Sequence, residues 1–431
     1  MRTTENKLRT PKGTKDLFDS ELFVQEKVEA LIFQVARGFG FQRIETPVFE
    51  HLEVFDSTSR INREKCYILK DKAERELVLR PDINAPISRA LVSNLSSVPI
   101  PAKLFFCGNV YRYRHHISRE FKMLGIESYG IPGLEAEIEI LLLLKEILER
   151  LGIKDYMIEF GNLKIYNDYL KGLIKSYQLV IDEEDILHQL SLSDNKQKTI
   201  EILSFLPKDE IDFFCRLMYE TGTLLEFVSL LNLSPWKSFV EKQLQVLIEF
   251  DNLLGENGFF NRRFNFSNLH GIGFYSGLTY RIYSEVIKKN IADGGRYDSF
   301  VKDLGGIQIP ATGLGISLSR LITLIPTNGL IRFDKPKSFL FCVNNTLTPE
   351  LYGLLNSLRS DGLIIEVETI KRKFKQRLNY LKLKSYSGLI NLISFNDLSK
   401  ISFDLFNSNG EFVLQKEGIT LTDFKACLTN F

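Results

Sequence analysis

Two runs between Leu77 and Gly130 decide the fold: LVLRPDINAPISRALV (Leu77–Val92) and, past a proline-broken linker, FFCGNVYRYRHHISREFKMLGIESYG (Phe105–Gly130). Apolar residues dominate both, and charged residues sit at their edges. CYILKD and LVLRPDI read as the strands of one hairpin around the charged turn DKAERE. AKLFFCGNVYRYR and REFKMLGIESYG read as a second hairpin, joined by a short polar loop from His115 to Ser118. Pro81 pushes Arg80 into an extended conformation. Asp82 and Asn84, a carboxylate and an amide two residues apart, suit an amino group; a surface ion pair at a turn fits equally well. Arg112 and Arg114 fall on one face of a strand. Paired guanidiniums suit a phosphate or carboxylate, and equally a solvated strand face. Glu127 interrupts the apolar run MLGIESYG and needs a partner, because an unpaired buried carboxylate is costly. A bound ammonium or imidazolium, or a neighbouring arginine, would supply one.

Outward from this centre the chain alternates helix and strand. TPKGTKDLFDSE is a turn leading into a helix, with Asp19 or Ser20 as its cap. Val24, Val28, Leu31, Ile32 and Val35 carry the helical spacing as far as Gly38. FQRIETPVFEHLEVF is a strand interrupted at Pro47. PGLEAEIEILLLLKEILERLG is an amphipathic helix stopped by Gly152, and DYMIEFGN is a strand. The division is 1–162 for the first part of a core, 163–255 for a helical insertion, and 256–327 for the second part of the core. A C-terminal α/β domain spans 337–431, built by strand–helix alternation. Its helix from Lys371 to Lys384 carries seven Lys or Arg residues, a pattern of a solvated face or an RNA contact. HGIGFYSG (His270–Gly277) and DGGRYD (Asp293–Asp298) look set to complete a pocket with the opening stretch.

Composition excludes several classes. A chain of 431 residues exceeds one core and predicts two or three domains. Net charge is +1, so no overall field draws it to nucleic acid or membrane. Five cysteines without a CxxC, and histidines without an HxxxH, predict no disulfide framework and no metal site. The polar N-terminus lacks a signal-peptide core, and no apolar run reaches the roughly 20 residues of a membrane helix, so a cytoplasmic protein off the membrane is expected. No P-loop or dinucleotide fingerprint is present, and no cofactor is expected.

Taken together, TPKGTKDL, LVLRPD, YRYR…REF…LGIESYG, DGGRYD and PATGLGISLSRL resemble the histidyl-tRNA synthetase family across nearly the whole chain. The resemblance implies an α+β fold: a class II synthetase-like antiparallel sheet core with a helical insertion, plus a small C-terminal α/β domain like the anticodon-binding one. It also implies a homodimer unit. By the same likeness Arg112 matches the arginine on the ATP α-phosphate, and Arg320 the one on the γ-phosphate side. Glu127 and Tyr275 would recognise an imidazole, Asp82 and Asn84 an amino group, and Arg112 a carboxylate or phosphate.

Departures from the family pattern point to a particular branch. RPEGTA reads RPDINA, an acidic residue becomes Arg114, and the glutamine that meets the substrate carboxylate becomes Met123. LVRGLDYY reads LHGIGFY, so the catalytic arginine becomes His270 and an aspartate becomes Gly273. Losing one such cation typically costs about 10²–10³-fold in rate. These changes, with PISR after LVLRPD and FYSG in the signature, resemble the regulatory subunit of ATP phosphoribosyltransferase. That resemblance implies a non-catalytic protein with no catalytic residue of its own. It would assemble with a short-form catalytic subunit at the first step of histidine biosynthesis and sense histidine as an allosteric ligand. The alternative is a divergent histidyl-tRNA synthetase that activates histidine and charges tRNA.

Overall fold

The computed structural model describes residues 8–56, 63–114, 118–191, 193, 195–219, 223–265, 275–326, 335–343, 348–395, 398 and 400–431. The chain divides into two compact units, Met1–Arg332 and Phe333–Phe431.

The first unit opens with helix α1 (Asp19–Gly38). Phe18 occupies its cap position without a side-chain bond, so the expected Asp19 or Ser20 cap is corrected. Asp19 and Glu21 lie in the first turn instead, where carboxylates favour the positive end of the helix dipole. The predicted continuous strand after α1 is broken into β1 (Gln42–Arg43), β2 (Phe49–His51) and the short helix α2 (Glu53–Asp56), with Pro47 between the two strands. Strands β3 (Tyr67–Lys70) and β4 (Glu76–Leu79) form the first expected hairpin, and β2 pairs with β4 to make a three-stranded sheet.

After β4 the chain enters a helix that the sequence did not announce, α3 (Asn84–Ser93). Pro86 lies in its first turn, where a missing N–H leaves no bond unmade. Ile83, Ala85, Ile87 and Leu91 are buried from this segment and pack with Phe106, Val110, Tyr129 and Tyr297. Full burial of a residue such as Ile83 contributes about 1.5–3 kcal/mol. That packing fixes α3 against one face of the main sheet.

The main sheet is eight-stranded among the described residues, in the order β1-β5-β6-β11-β10-β9-β7-β8. Strands β5 (Ala102–Tyr111) and β6 (Glu120–Tyr129) form the second hairpin. Helix α4 (Glu135–Arg150) follows, then β7 (Met157–Asn162). A helical run comes next: α5 (Leu163–Ser176), α6 (Glu183–Ser191), α7 (Lys196–Ile202), α8 (Lys208–Tyr219), α9 (Leu224–Asn232) and α10 (Glu241–Glu256). Phe250 of α10 and Phe227 of α9 meet Phe160 and Phe264 of the sheet at centroid distances of 5.7 and 4.7 Å. Strands β8 (Arg262–Phe264), β9 (Leu278–Ser284) and β10 (Lys289–Arg296), short helix α11 (Phe300–Asp303), strand β11 (Ala311–Ser317) and helix α12 (Leu318–Thr323) complete the unit. Pairing is antiparallel except at the two sheet ends, where β1 joins β5 and β8 joins β7 in parallel.

The second unit is a five-stranded sheet in the order β13-β12-β14-β15-β16, with helices on both faces. Its elements are β12 (Ser338–Val343), α13 (Pro349–Ser360), β13 (Ile364–Val367), α14 (Phe374–Lys384), β14 (Gly388–Phe395), β15 (Ile401–Asn407), β16 (Phe412–Ile419) and α15 (Leu421–Thr429). No helix among the described residues is long and apolar enough to cross a membrane.

Candidate functional site

Glu127 of β6 is completely buried, and it faces the N-terminus of α3. Asn84 donates its side-chain amide to Glu127 Oε1 at 2.6 Å, and Tyr297 donates its hydroxyl to Oε2. Both of these donors are neutral groups of the protein itself. Burial and the nearby Glu127 charge push the Tyr297 hydroxyl well above its usual range, which keeps it a donor. Tyr129 carries a second raised hydroxyl, shifted first by burial, and shares a 2.9 Å hydrogen bond with Ser88.

Glycines clear the wall around this carboxylate. Register places Gly313 opposite Glu127, Gly315 opposite Gly125, and Gly295 opposite Gly313. A methyl group at Gly313 would lie 1.8 Å from Glu127 Oε2, and one at Gly125 would lie 2.3 Å from Ile83 Cδ1. Tyr275 is half-buried and lays its ring over the backbone of Gly295, 2.8 Å from where a Cβ would stand. Met123 of β6 is half-buried, with its methyl 3.0 Å from the Cβ position of Gly315.

Arg112 is joined to this carboxylate by a chain of bonds. Arg112 donates from Nε to Pro81 O at 2.5 Å and pairs through Nη2 with Asp82 Oδ2 at 3.2 Å. Asp82 Oδ1 accepts the backbone N–H of Asn84 at 2.9 Å, and Asn84 reaches Glu127. The path runs Arg112, Asp82, Asn84, Glu127. Arg112 and Arg114 lie just past the end of β5, not within the strand, and both stack on the Phe121 ring, at 5.7 and 4.9 Å. Burial, then the positive charges of Arg112 and Arg320, lower the affinity of Arg114 for its proton, which places three guanidiniums in one field. Arg320, on α12, donates to Asn290 O at 2.5 Å.

Structure thus brings together Asp82, Asn84, Arg112 and Glu127 in one bonded path, with Tyr275 beside the same strands. Arg320 shares a field with Arg112 and Arg114 but bonds elsewhere. His270 and Gly273 lie outside the described residues. Three contributors had escaped sequence reasoning. Tyr297 was hidden within DGGRYD, whose glycines drew attention first. Arg80 is buried as a brace, donating to Thr46 O at 2.6 Å and Asn109 O at 2.8 Å and stacking on Phe106 at 4.7 Å. Arg296 forms a bidentate pair with the buried Glu137, at 2.7 Å for each bond, and braces the turn through Ile131 O and Gly133 O. Among the described residues no cluster of three His, Cys, Asp or Glu groups is arranged for a metal.

The basic helix of the second unit is narrower in charge than its sequence. Arg377 is taken up by Glu368 at 2.6 and 2.9 Å, and Arg372 stacks on Tyr380 at 4.2 Å. Lys371, Lys373, Lys375, Lys382 and Lys384 remain exposed.

Comparison with known proteins gives a consistent family. A family model described as histidyl-tRNA synthetase matches residues 13–321. A histidine–tRNA ligase of Pyrobaculum islandicum is 27% identical over 414 residues, covering 91% of this chain and 92% of the relative. One from Saccharolobus islandicus is 28% identical over 408 residues, with 91% and 93% covered. Among solved structures, one described as an ATP phosphoribosyltransferase regulatory subunit/histidyl-tRNA synthetase from Bacillus halodurans matches with a TM-score of 0.73 at 19% identity, covering 90% of this chain and 99% of its own. Apo histidyl-tRNA synthetase of S. aureus matches with a TM-score of 0.69 at 19% identity, covering 98% and 99%. The class II synthetase-like fold expected from the sequence is the fold of this protein. One expectation is corrected. The chain was read as no enzyme, yet relatives alike over nine-tenths of it carry the name of an enzyme. The exchanges at Arg114, Met123 and His270 each remove a single group, and Glu127 and Arg112 keep their bonded partners.

Proposed function

Because the chain belongs to the histidyl-tRNA synthetase family, we propose that it activates histidine with ATP and transfers it to tRNA. The observation that supports this reading is the completely buried Glu127 carboxylate, with Asn84 on one oxygen and Tyr297 on the other, at the position the resemblance gives to imidazole recognition. Asp82, 4% exposed, supplies a negative group for the substrate ammonium. Arg112, Arg114 and Arg320 supply the positive field for the nucleotide phosphates, which is where negative charge grows as the acyl–phosphate bond forms. Met123 replaces a hydrogen-bonding group, so recognition of the substrate carboxylate falls to the arginines. The exposed lysines of α14 support a contact with RNA phosphates. Phe49 and Leu69, on one face of the three-stranded sheet by its register and 55% and 39% exposed, support a two-fold dimer there.

Histidine-dependent ATP–pyrophosphate exchange tests the reading, with tRNA charging as the second stage. Exchange that rises with histidine and disappears in Glu127→Gln supports it. No exchange above the histidine-free blank overturns it.

A second reading adds a partner. The Bacillus halodurans neighbour is described as a regulatory subunit of ATP phosphoribosyltransferase as well as a synthetase, which supports association of this chain with a short-form catalytic subunit of that enzyme and control by histidine. Co-elution on mixing, with a transferase rate that falls as histidine is added, tests it. Failure to associate removes it.

A further inference from the structure

We propose that Asn84 is a positioning residue: its amide holds Glu127 as an ionised acceptor and thereby makes the pocket select a side chain that carries an N–H donor. The inference rests on the histidine-activating reading and deepens it, since the sequence had assigned Asn84 to the amino group of the ligand.

Asn84 is 7% exposed and commits both its backbone N–H and its side-chain amide. Its backbone N–H goes to Asp82 at 2.9 Å and its amide to Glu127 at 2.6 Å. It therefore ties the carboxylate beside Arg112 to the carboxylate beneath the ligand. An amide does not titrate, so this donor is present at every working pH. On the Asn84 side, a protonated Oε1 would set its O–H against the amide N–H. The ionised form is favoured, because hydrogen bonds to a charged carboxylate hold it charged. An acceptor fixed in this way favours an imidazole N–H over an apolar or acceptor-only side chain of similar size, which offers it no donor.

Asn84→Asp is nearly isosteric and replaces the donor by a second carboxylate beside the first. Two carboxylates at that distance cannot both ionise, so the pair must share a proton. The ligand-free wild type, Asn84→Asp and Asn84→Asp/Glu127→Gln are unfolded with urea between pH 8 and pH 5. The expected result is a stability deficit in Asn84→Asp that narrows as the pH falls, because only the folded state binds the shared proton there. In the double variant the deficit is flat with pH. A deficit in Asn84→Asp that is equal at every pH, and unchanged by Glu127→Gln, overturns the positioning role whatever histidine does. The second arm is exchange kinetics of Asn84→Ala. Its histidine KM should rise about tenfold, with kcat changed much less, as expected for one lost hydrogen bond to an ionised group. Equal losses in kcat and kcat/KM, or an unchanged KM, overturn the selectivity. If the wild type shows no histidine-dependent exchange, the functional reading falls and the selectivity with it, and the unfolding arm still decides the positioning.

Discussion

Adding one methyl group at Gly313 should be enough to displace the buried Glu127 carboxylate. The Cβ of Gly313→Ala would stand 1.8 Å from Glu127 Oε2, 2.5 Å from Glu127 Cδ and 2.8 Å from the Tyr297 hydroxyl. Ordinary contact between such atoms is ~3.5 Å, so the carboxylate must move. It has no solvent to move into, being 0% exposed and walled by Asn84, Tyr297 and Ile83. Overpacking of this kind costs about 1–3 kcal/mol of stability. Losing the Tyr297 hydrogen bond to a charged group adds a similar term, ~1.5–3 kcal/mol. If the second term falls on ligand recognition, histidine KM rises by roughly 10- to 150-fold, taking 1.4 kcal/mol as tenfold. Urea unfolding reads the first effect and pyrophosphate exchange the second. Wild-type stability together with a KM within twofold of wild type would show that Glu127 is not sealed against β11, and the pocket as described would fail.

Gly353 offers the matched control: it is exposed within α13 with nothing near its Cβ position, so Gly353→Ala should stabilise by about 0.5–1 kcal/mol, read by the urea midpoint of the second unit. Glu137→Ala should destabilise by about 3–5 kcal/mol, because it leaves the Arg296 guanidinium, 8% exposed, with only the longer 3.4 Å ion pair to Asp298. An equilibrium unfolding curve unchanged from wild type would contradict that. Burial, with Glu29 adding to it, pushes the Cys107 thiol up to about 12. Its unfolded value is about 8.5, so the folded state holds the proton more tightly, and the stability present below pH 8.5 is lost as pH rises towards 12. Cys107→Ala should therefore flatten the alkaline limb of the stability curve, and native Cys107 should resist iodoacetamide at pH 8 while the unfolded chain reacts.

The sequence by itself determined the strands β5 and β6, the long helices α1 and α4, and the helical character of the stretch after Asn162. Each rests on local periodicity or on a stop signal such as Gly152, and local rules suffice for these. It also picked out Glu127, since a carboxylate inside an apolar run is conspicuous without any fold. Tertiary structure alone decided what that carboxylate meets. Asn84 lies 43 residues before Glu127 and Tyr297 lies 170 residues after it, and only the packing of α3 on the sheet and the pairing of β10 through β11 to β6 bring them within a hydrogen bond. Helix α3 is not marked by local signals, since the segment follows a strand-like run and its support is the apolar burial of Ile83, Ile87 and Leu91. The charge of Lys371–Lys384 was likewise visible as a count, but its division between Glu368 and solvent depends on how Glu368, just past β13 and six residues before Phe374, meets Arg377 of the helix. Side-chain chemistry can be read from composition and spacing; which groups satisfy one another is set by long-range packing, because the cost of an unpaired buried charge is felt only once the core has closed.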